Sequence, residues 1–162
     1  MGIYNVDAVS GTTDYSKGGN YLPSVDGEFG LQLCDLKYVP KMGKSQSPAY
    51  IAYVSVLESE NPKVVVGRKY ELILGLNGSE FDMLAGIKRL VSFVGAFAGV
   101  EPNTPFQASK YLDDSGKGEW MQAAAKGELE KLGLLATVAR RMVPMKKGGL
   151  FPRDTFLPFT EE

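Results

Sequence analysis

Apolar and polar residues alternate in three segments of the first half of the chain, and this period of two is typical of half-buried β-strands. In the first segment, Phe29, Leu31 and Leu33 fall on one side of the predicted strand. Prolines and glycines between the segments predict turns. The predicted strands cover residues 27–39, 50–59 and 64–76.

The period then changes to that of an amphipathic helix over residues 79–100, where apolar residues recur at helical spacings: Leu84, Ile87, Leu90, Val91, Val94 and Phe97. Ser79 is the predicted cap of this helix, and Gly99 marks its predicted end. The remaining predicted elements are a loop over 101–118, a short helix over 119–132 and a closing hairpin with strands over 134–145 and 150–159.

Three strands, a helix and two further strands give the element order of an OB-fold, in which the helix lies between strands three and four. We therefore predict a mainly β protein, built as a five-stranded OB-fold barrel with one short additional helix. An α+β fold can have the same order of elements and stays an alternative. The predicted organisation is an irregular N-terminal arm over 1–26, a single OB-fold domain over 27–159 and a short acidic tail over 160–162.

Composition removes most familiar enzyme sites. The 162 residues include no histidine and a single cysteine, Cys34, which excludes histidine-paired nucleophiles, histidine-ligated zinc and thiolate metal clusters. A carboxylate metal site of the nuclease kind is the remaining alternative, with Asp113 and Asp114 or Glu58 and Glu60 as its candidate ligands. Acidic pairs beside Gly, Ser and Asn are, however, the ordinary composition of surface turns. We predict a protein that is not an enzyme and that uses no cofactor or metal.

The sequence also bears on the compartment. Cys34 has no partner for an internal disulfide, and the start of the chain lacks a charged region followed by an apolar run. The longest apolar stretches fall short of the roughly 20 residues that cross a bilayer. We expect an intracellular protein without a membrane partner.

Positive charge collects near the end of the chain, in the segment ARRMVPMKKGGLFPRDTF at 139–156. This segment carries five basic residues against one acid, although the whole protein has a net charge of −1. Lysines in a turn keep a hairpin soluble and protect a sheet edge, which is the ordinary structural explanation. A basic segment with aromatic residues is also what a single-stranded nucleic acid requires, because phosphates need cations and bases need flat faces.

Residues 27–100 resemble phage-encoded single-stranded-DNA-binding proteins, in the phrases GEFGLQLCDLKYVPKMGKSQSPAYIAYVSVLES, VVVGRKYELILGL and KRLVSFVGAFAGV. Those proteins have a glycine-led first strand, a basic loop, a strand that ends in a V-L-E-S phrase, a V-G entry to the third strand, and a helix. The closing LGLLATVARRMVPMKKGGLFPRDTFLPF is similar to their last two strands. The resemblance covers about two-thirds of the chain and leaves 1–26 and 101–131 without a counterpart.

The resemblance implies an OB-fold that holds single-stranded DNA during phage replication or recombination, in the cytoplasm of the host cell. Such binding is non-catalytic and largely independent of sequence, and stacking contributes about 1–3 kcal/mol per base. In an OB-fold the loops between strands one and two and between strands four and five flank the same surface, so we expect two basic loops to form one groove. The predicted phosphate contacts are Lys37, Lys41, Lys44, Arg140, Arg141, Lys146, Lys147 and Arg153, and the predicted stacking residues are Tyr38, Tyr50, Tyr53 and Phe151.

A structural or protein-interaction OB-fold module without nucleic-acid binding is the main alternative, because one fold serves many functions. Buried aromatic residues and lysines that point apart would favour it. The predicted partners are single-stranded DNA and replication or recombination proteins, and the sequence leaves the oligomeric state open, a homo-oligomer included. Tyr70, Phe93 and Phe97 are expected in the core, whereas Phe156 fits either the core or the surface.

Overall fold

Five antiparallel strands form a single sheet in the computed structural model, which describes residues 20–42, 47–76 and 80–160. A long helix follows the third strand, and a short helix precedes the fourth. The chain is therefore mainly β, with strands and helices in the predicted order. The elements are β1 Gly27–Met42, β2 Ser47–Ser59, β3 Lys69–Gly75, α1 Glu80–Phe97, α2 Glu119–Ala125, β4 Leu135–Pro144 and β5 Leu150–Pro158.

The strands follow the spatial order β3-β2-β1-β4-β5. Central strand β1 pairs with β2, and its first residues pair with β4, from Gly27 opposite Arg140 to Gln32 opposite Leu135. Its register against β2 shifts at three places, and such bulges bend a strand and increase its twist. The edge strands β3 and β5 do not pair with each other. Strand pairing therefore leaves the sheet open, rather than closing it into a barrel.

The residues just before β1 cover the free edge of β3. The Leu22 amide donates to the Glu71 carbonyl at 3.0 Å, and the Glu71 amide donates to the Asn20 carbonyl at 2.8 Å. From α1, the Arg89 guanidinium donates to the Ile73 carbonyl at 2.7 Å. The edge of β3 is thus hydrogen-bonded by backbone from the predicted arm and by a side chain from the helix. The rest of that arm, residues 1–19, lies outside the described residues.

The core lies between the inner face of the sheet and α1. Phe29 and Leu31 are fully buried on β1, as the alternation predicts. From α1, Phe93 packs against Phe97 with ring centroids 4.7 Å apart and meets Phe156 of β5 edge-on at 5.5 Å. Phe156 is therefore a core residue, and the expectation of core positions for Phe93 and Phe97 is confirmed.

The segment between α1 and β4 contributes to this core. Leu112, Trp120 and Leu129 are buried, and the ring of Tyr111 lies 5.0 Å from that of Trp120. Gly118 precedes α2 where a Cβ would overlap the Tyr111 carbonyl, so a larger residue does not fit there. The segment between α1 and β4 thus covers β1 with apolar side chains.

The third strand starts later than predicted. Residues 64–68 belong to turns, and β3 begins at Lys69. Gly67 has a φ of 88°, a conformation that glycine adopts readily and that ends an extended run. The β-branched run before it predicted a strand wrongly, although Val64 itself is buried as an anchor of the turn.

The helix α1 ends close to the predicted position, at Phe97, and Gly99 follows it with a left-handed φ of 76°. Its buried face is narrower than the predicted apolar stripe, because Ile87 and Val91 are exposed. The predicted cap, Ser79, lies outside the described residues.

Candidate nucleic-acid interface

The β4–β5 hairpin presents alternate residues on opposite faces. Arg141 pairs with Arg153 and Val143 pairs with Phe151, whereas Arg140, one residue before Arg141, pairs with Asp154. Because successive side chains of a strand point to opposite faces, the first two pairs share one face and the third pair takes the other. Arg141, Arg153 and Phe151 are exposed. Three of the sequence-predicted residues therefore lie together on one surface.

The turn of this hairpin adds two more predicted residues. Lys146 and Lys147 are exposed between β4 and β5, in a turn that closes with a 3.1 Å hydrogen bond from the Met145 amide to the Gly149 carbonyl. Met145 and Leu150 beside them are exposed apolar residues. We name the exposed basic and aromatic residues of this hairpin the hairpin patch; they are Arg141, Lys146, Lys147, Phe151 and Arg153.

Two arginines directly opposite each other repel, and like charges in such pairs destabilise a sheet. Neither Arg141 nor Arg153 forms an ion pair with any residue in the described ranges. An anion bound between the two guanidinium groups would relieve this repulsion. Planar guanidinium groups suit phosphate in particular, because they donate two parallel hydrogen bonds.

A groove of about 880 Å³ lies beside the patch. Its lining includes Arg141 and Arg153 from the hairpin, the small residues Gly27 and Ala139, and Thr155. Acidic side chains line its other side, and we name them the acidic wall; they are Asp26, Glu28 and Glu60. The groove is thus basic on the β4–β5 side and acidic on the β1–β2 side.

Arg140 faces the interior and is 6% exposed. Its guanidinium forms an ion pair with Asp154 through contacts of 2.7 and 2.9 Å, and donates to the Leu22 and Pro23 carbonyls at 3.0 Å each. Its donors are therefore directed at protein groups. The prediction of Arg140 as a phosphate contact is corrected: Arg140 ties the segment before β1 to the sheet.

Asp154 links this arginine to the helix. Its carboxylate also accepts from Arg89 of α1 at 2.8 Å, and the Arg89 guanidinium lies 5.7 Å from the centroid of the Phe156 ring. Burial alone would raise the pKa of Asp154, but the hydrogen bonds and charges of Arg140 and Arg89 outweigh it and hold that pKa below its usual value. We name Arg89, Arg140 and Asp154 the closing cluster, because they join α1, β4 and β5 to β3 and to residues 22–23.

The second predicted basic group lies at the other end of β1. Lys37 is exposed opposite Ile51, and Lys41 is exposed near the end of the strand. The hairpin instead extends past Gly27 at the start of β1, a separation along the strand of up to about 45 Å at roughly 3.3 Å per residue. Strand pairing therefore does not bring the two basic groups side by side. Lys44 lies outside the described residues.

The three predicted tyrosines have different environments. Tyr50 is 3% exposed, and burial, reinforced by the charge of Asp114, raises the pKa of its hydroxyl. Its ring lies 5.0 Å from that of Tyr38, which is half-buried against the core. The prediction of Tyr50 as a stacking residue is corrected, because its faces are covered by protein.

Tyr53 lies on the outer face of β2, opposite Asp35 on β1 and Glu71 on β3. Partial burial, then the charges of Glu71 and Asp35, raise the pKa of Tyr53. Two carboxylates beside the ring make this part of the sheet unfavourable for phosphates. Tyr53 is partly exposed, with these two carboxylates directly opposite it and with Lys37 and Lys69 as diagonal neighbours on the same face.

The candidate nuclease carboxylates have other contacts. Asp113 accepts hydrogen bonds from the Ser115 hydroxyl and from the Lys117 and Gly118 amides; these bonds, that of Ser115 first, lower its pKa. Asp113 thus stabilises the turn before α2. Across the described ranges, no three acidic or cysteine side chains are grouped closely enough to hold a metal ion.

No protein-family model and no curated protein matches this sequence. Within the described ranges, no helix combines the length and apolarity that crossing a membrane requires.

Proposed function

We propose that the protein binds single-stranded DNA, without catalysis and largely without sequence preference, in the replication or recombination of phage DNA. The observation that carries this proposal is the hairpin patch, where Phe151 shares an exposed face with the opposed Arg141 and Arg153. A single strand needs cations for its phosphates and an aromatic face for its bases. Both are present within one strand pair.

We also propose that the domain works as an OB-fold barrel, completed by elements other than strand pairing. The order of the strands and the position of α1 between β3 and β4 support this. Between the unpaired edges of β3 and β5, the closing cluster and the hydrogen bonds of Leu22 supply the contacts that a β3–β5 ladder would make elsewhere.

The proposed interface centres on the hairpin patch and excludes Arg140 and Tyr50, which are buried. Lys37 and Lys41 are exposed and form a secondary basic site at the far end of β1, whereas the partly exposed Tyr38 lies on the opposite face from Lys37. A strand long enough to reach from one end of β1 to the other would contact both. The proposal includes no cofactor and no chemical step, in keeping with a composition without histidine.

A protein-interaction module is the second candidate, and three observations favour it. Tyr50 is buried, and the two basic groups lie at opposite ends of β1. The exposed apolar residues Met145 and Leu150 beside the hairpin patch also suit a protein surface. Partner capture through the hairpin, without affinity for DNA, is the behaviour expected of this candidate.

Fluorescence titration with dT oligonucleotides of increasing length, repeated with duplex DNA and at several salt concentrations, tests the proposal. We expect saturable binding of dT, weaker binding of duplex, and an affinity that falls as salt rises, because phosphate contacts release counterions. Absence of a saturable single-strand preference would refute the proposal and favour the interaction module.

A further inference from the structure

The groove beside the hairpin patch has walls of opposite charge, and only the basic wall is explained by binding to phosphate. On the exposed face, Glu28 of β1 is opposite Ala139 of β4, which is opposite Thr155 of β5. Arg141 and Arg153 form the adjoining row. Small side chains therefore separate Glu28 from the arginines, whereas Asp26 lies close to Arg141, and no described ion pair joins the acidic wall to either arginine.

The acidic wall retains free acceptors. Glu60 uses Oε1 to accept from the Glu28 amide at 3.0 Å, and Asp26 uses Oδ1 to accept from the Met142 amide at 2.6 Å. The Glu28 side chain is exposed and makes no hydrogen bond to any residue in the described ranges. Two of the three carboxylates are thus fixed in place by backbone amides, while their second oxygens remain available to a ligand.

The dimensions of the groove would place the second backbone of a bound duplex close to the acidic wall. Neighbouring strands lie about 4.8 Å apart, so β1 is roughly 5 Å from β4 and roughly 10 Å from β5. A duplex held at Arg141 and Arg153 through one backbone carries its other backbone across a groove about 6 or 12 Å wide. Those phosphates would meet Glu28 and Glu60 within a Debye length, which is about 10 Å at 0.1 M salt.

A single strand places uncharged bases over the same wall. Amino groups of cytosine, adenine and guanine donate hydrogen bonds that carboxylates accept. The acidic wall is therefore compatible with a single strand, which has one backbone, and repels the second backbone of a duplex.

We propose that Glu28 and Glu60 are the specificity-determining residues of the groove, and that they select single strands by repelling the second backbone of duplex DNA. This inference rests on the proposed function, because it assumes that phosphates bind at the hairpin patch. It assigns a role to residues that do not themselves hold the phosphates.

The test compares the parent with the Glu28→Gln/Glu60→Gln variant by fluorescence anisotropy, using a dT oligonucleotide and a duplex of equal length at about 0.1 M salt. Because juxtaposed like charges disfavour the duplex complex, the ratio of the duplex Kd to the dT Kd should fall at least about tenfold in the variant. The fall should shrink as salt is raised, because screening weakens the repulsion. Glu101→Gln/Glu128→Gln is the matched control, since it removes the same charge from exposed residues that do not line the groove.

The outcomes separate the two proposals. If the parent binds dT in preference to duplex and the Glu28→Gln/Glu60→Gln variant keeps the same ratio, the acidic wall has no selective role and only this inference fails. An equal fall in the control would also overturn it, because net charge rather than the wall would then set the preference. A parent that does not bind dT would refute the proposed function, and this inference with it.

Discussion

Replacing Asp154 with asparagine tests the closing cluster most directly. The Asp154 side chain is 1% exposed and forms ion pairs with Arg140 at 2.7 Å and Arg89 at 2.8 Å. Asparagine has nearly the same volume but no charge. Because the Arg140 side chain is 5% exposed, the substitution leaves a buried cation without its counter-charge.

Removal of one partner from a buried ion pair typically costs about 3–5 kcal/mol. We expect Asp154→Asn to lower the free energy of unfolding by about this amount. For a chain of 162 residues, 1 kcal/mol corresponds to roughly 2–4 °C in Tm, so the Tm should fall by about 6–20 °C. Arg89 contributes less to this cost, because its side chain is 32% exposed.

The cost should also depend on pH. The pKa of Asp154 in the folded protein is held below its ordinary value, so the charged carboxylate favours the folded state. Its contribution is complete above the unfolded pKa and is lost as the pH falls through the lower, folded pKa. The stability difference between parent and variant should therefore be constant near neutral pH and shrink below about pH 4.

Urea and thermal unfolding, followed by circular dichroism, measure these quantities. Asp114→Asn is the control, because Asp114 is exposed and makes no hydrogen bond or ion pair to a described residue. A loss of less than about 1 kcal/mol in Asp154→Asn, or a difference that persists unchanged at acid pH, would contradict the role of the closing cluster.

Three further outcomes are expected. Phe151→Ala should weaken dT binding by about 1–3 kcal/mol with little change in Tm, whereas the buried Tyr50→Ala should cost roughly 3–5 kcal/mol of stability; equal effects of the two on stability would argue against an exposed stacking residue. Neutralising the four basic residues of the hairpin patch should flatten the salt dependence of binding by about 0.7 per lost phosphate contact, and an unchanged slope in a folded variant would remove the patch from the interface. Gly86→Ala should cost about 1–3 kcal/mol in urea unfolding, since a Cβ there would lie 2.6 Å from the Gly75 carbonyl; a neutral effect would mean that α1 can shift away from β3.

The strands were predictable because their alternation reflects burial directly. Phe29, Leu31 and Leu33 fall on the inner face, as their spacing indicates. The contacts along the free edge of β3 were not predictable, because they depend on backbone groups of residues 20–22 and on Arg89, which belong to no periodic pattern. A valine run before Gly67 misled the prediction, since local propensity does not reveal a turn that tertiary contacts hold.

Part of the candidate site could be predicted from the sequence. Arg140 and Arg141 are neighbours on a strand, so they must face opposite sides, and Tyr50 is in phase with the buried Ala52 and Val54. Which arginine faces inward depends on its partner across the hairpin, Asp154. The acidic wall had no sequence signal, because its members come together through the pairing of β1 with two neighbouring strands.

Arg140 and Asp154 of the closing cluster lie on one face of the β4–β5 strand pair, and Arg141, Arg153 and Phe151 of the hairpin patch lie on the other. This arrangement gives the buried ion pair a role in positioning the exposed residues. A buried ion pair rarely stabilises more than an apolar pair of equal volume. It does specify register, because a slip of one residue would turn Arg141 and Phe151 inward. We infer that the pair of Arg140 with Asp154 fixes the side from which β5 presents Phe151. The variant Arg140→Met/Asp154→Leu should therefore be more stable than Asp154→Asn yet bind dT less tightly than the parent; parent-like affinity in this variant would show that apolar packing alone sets the register.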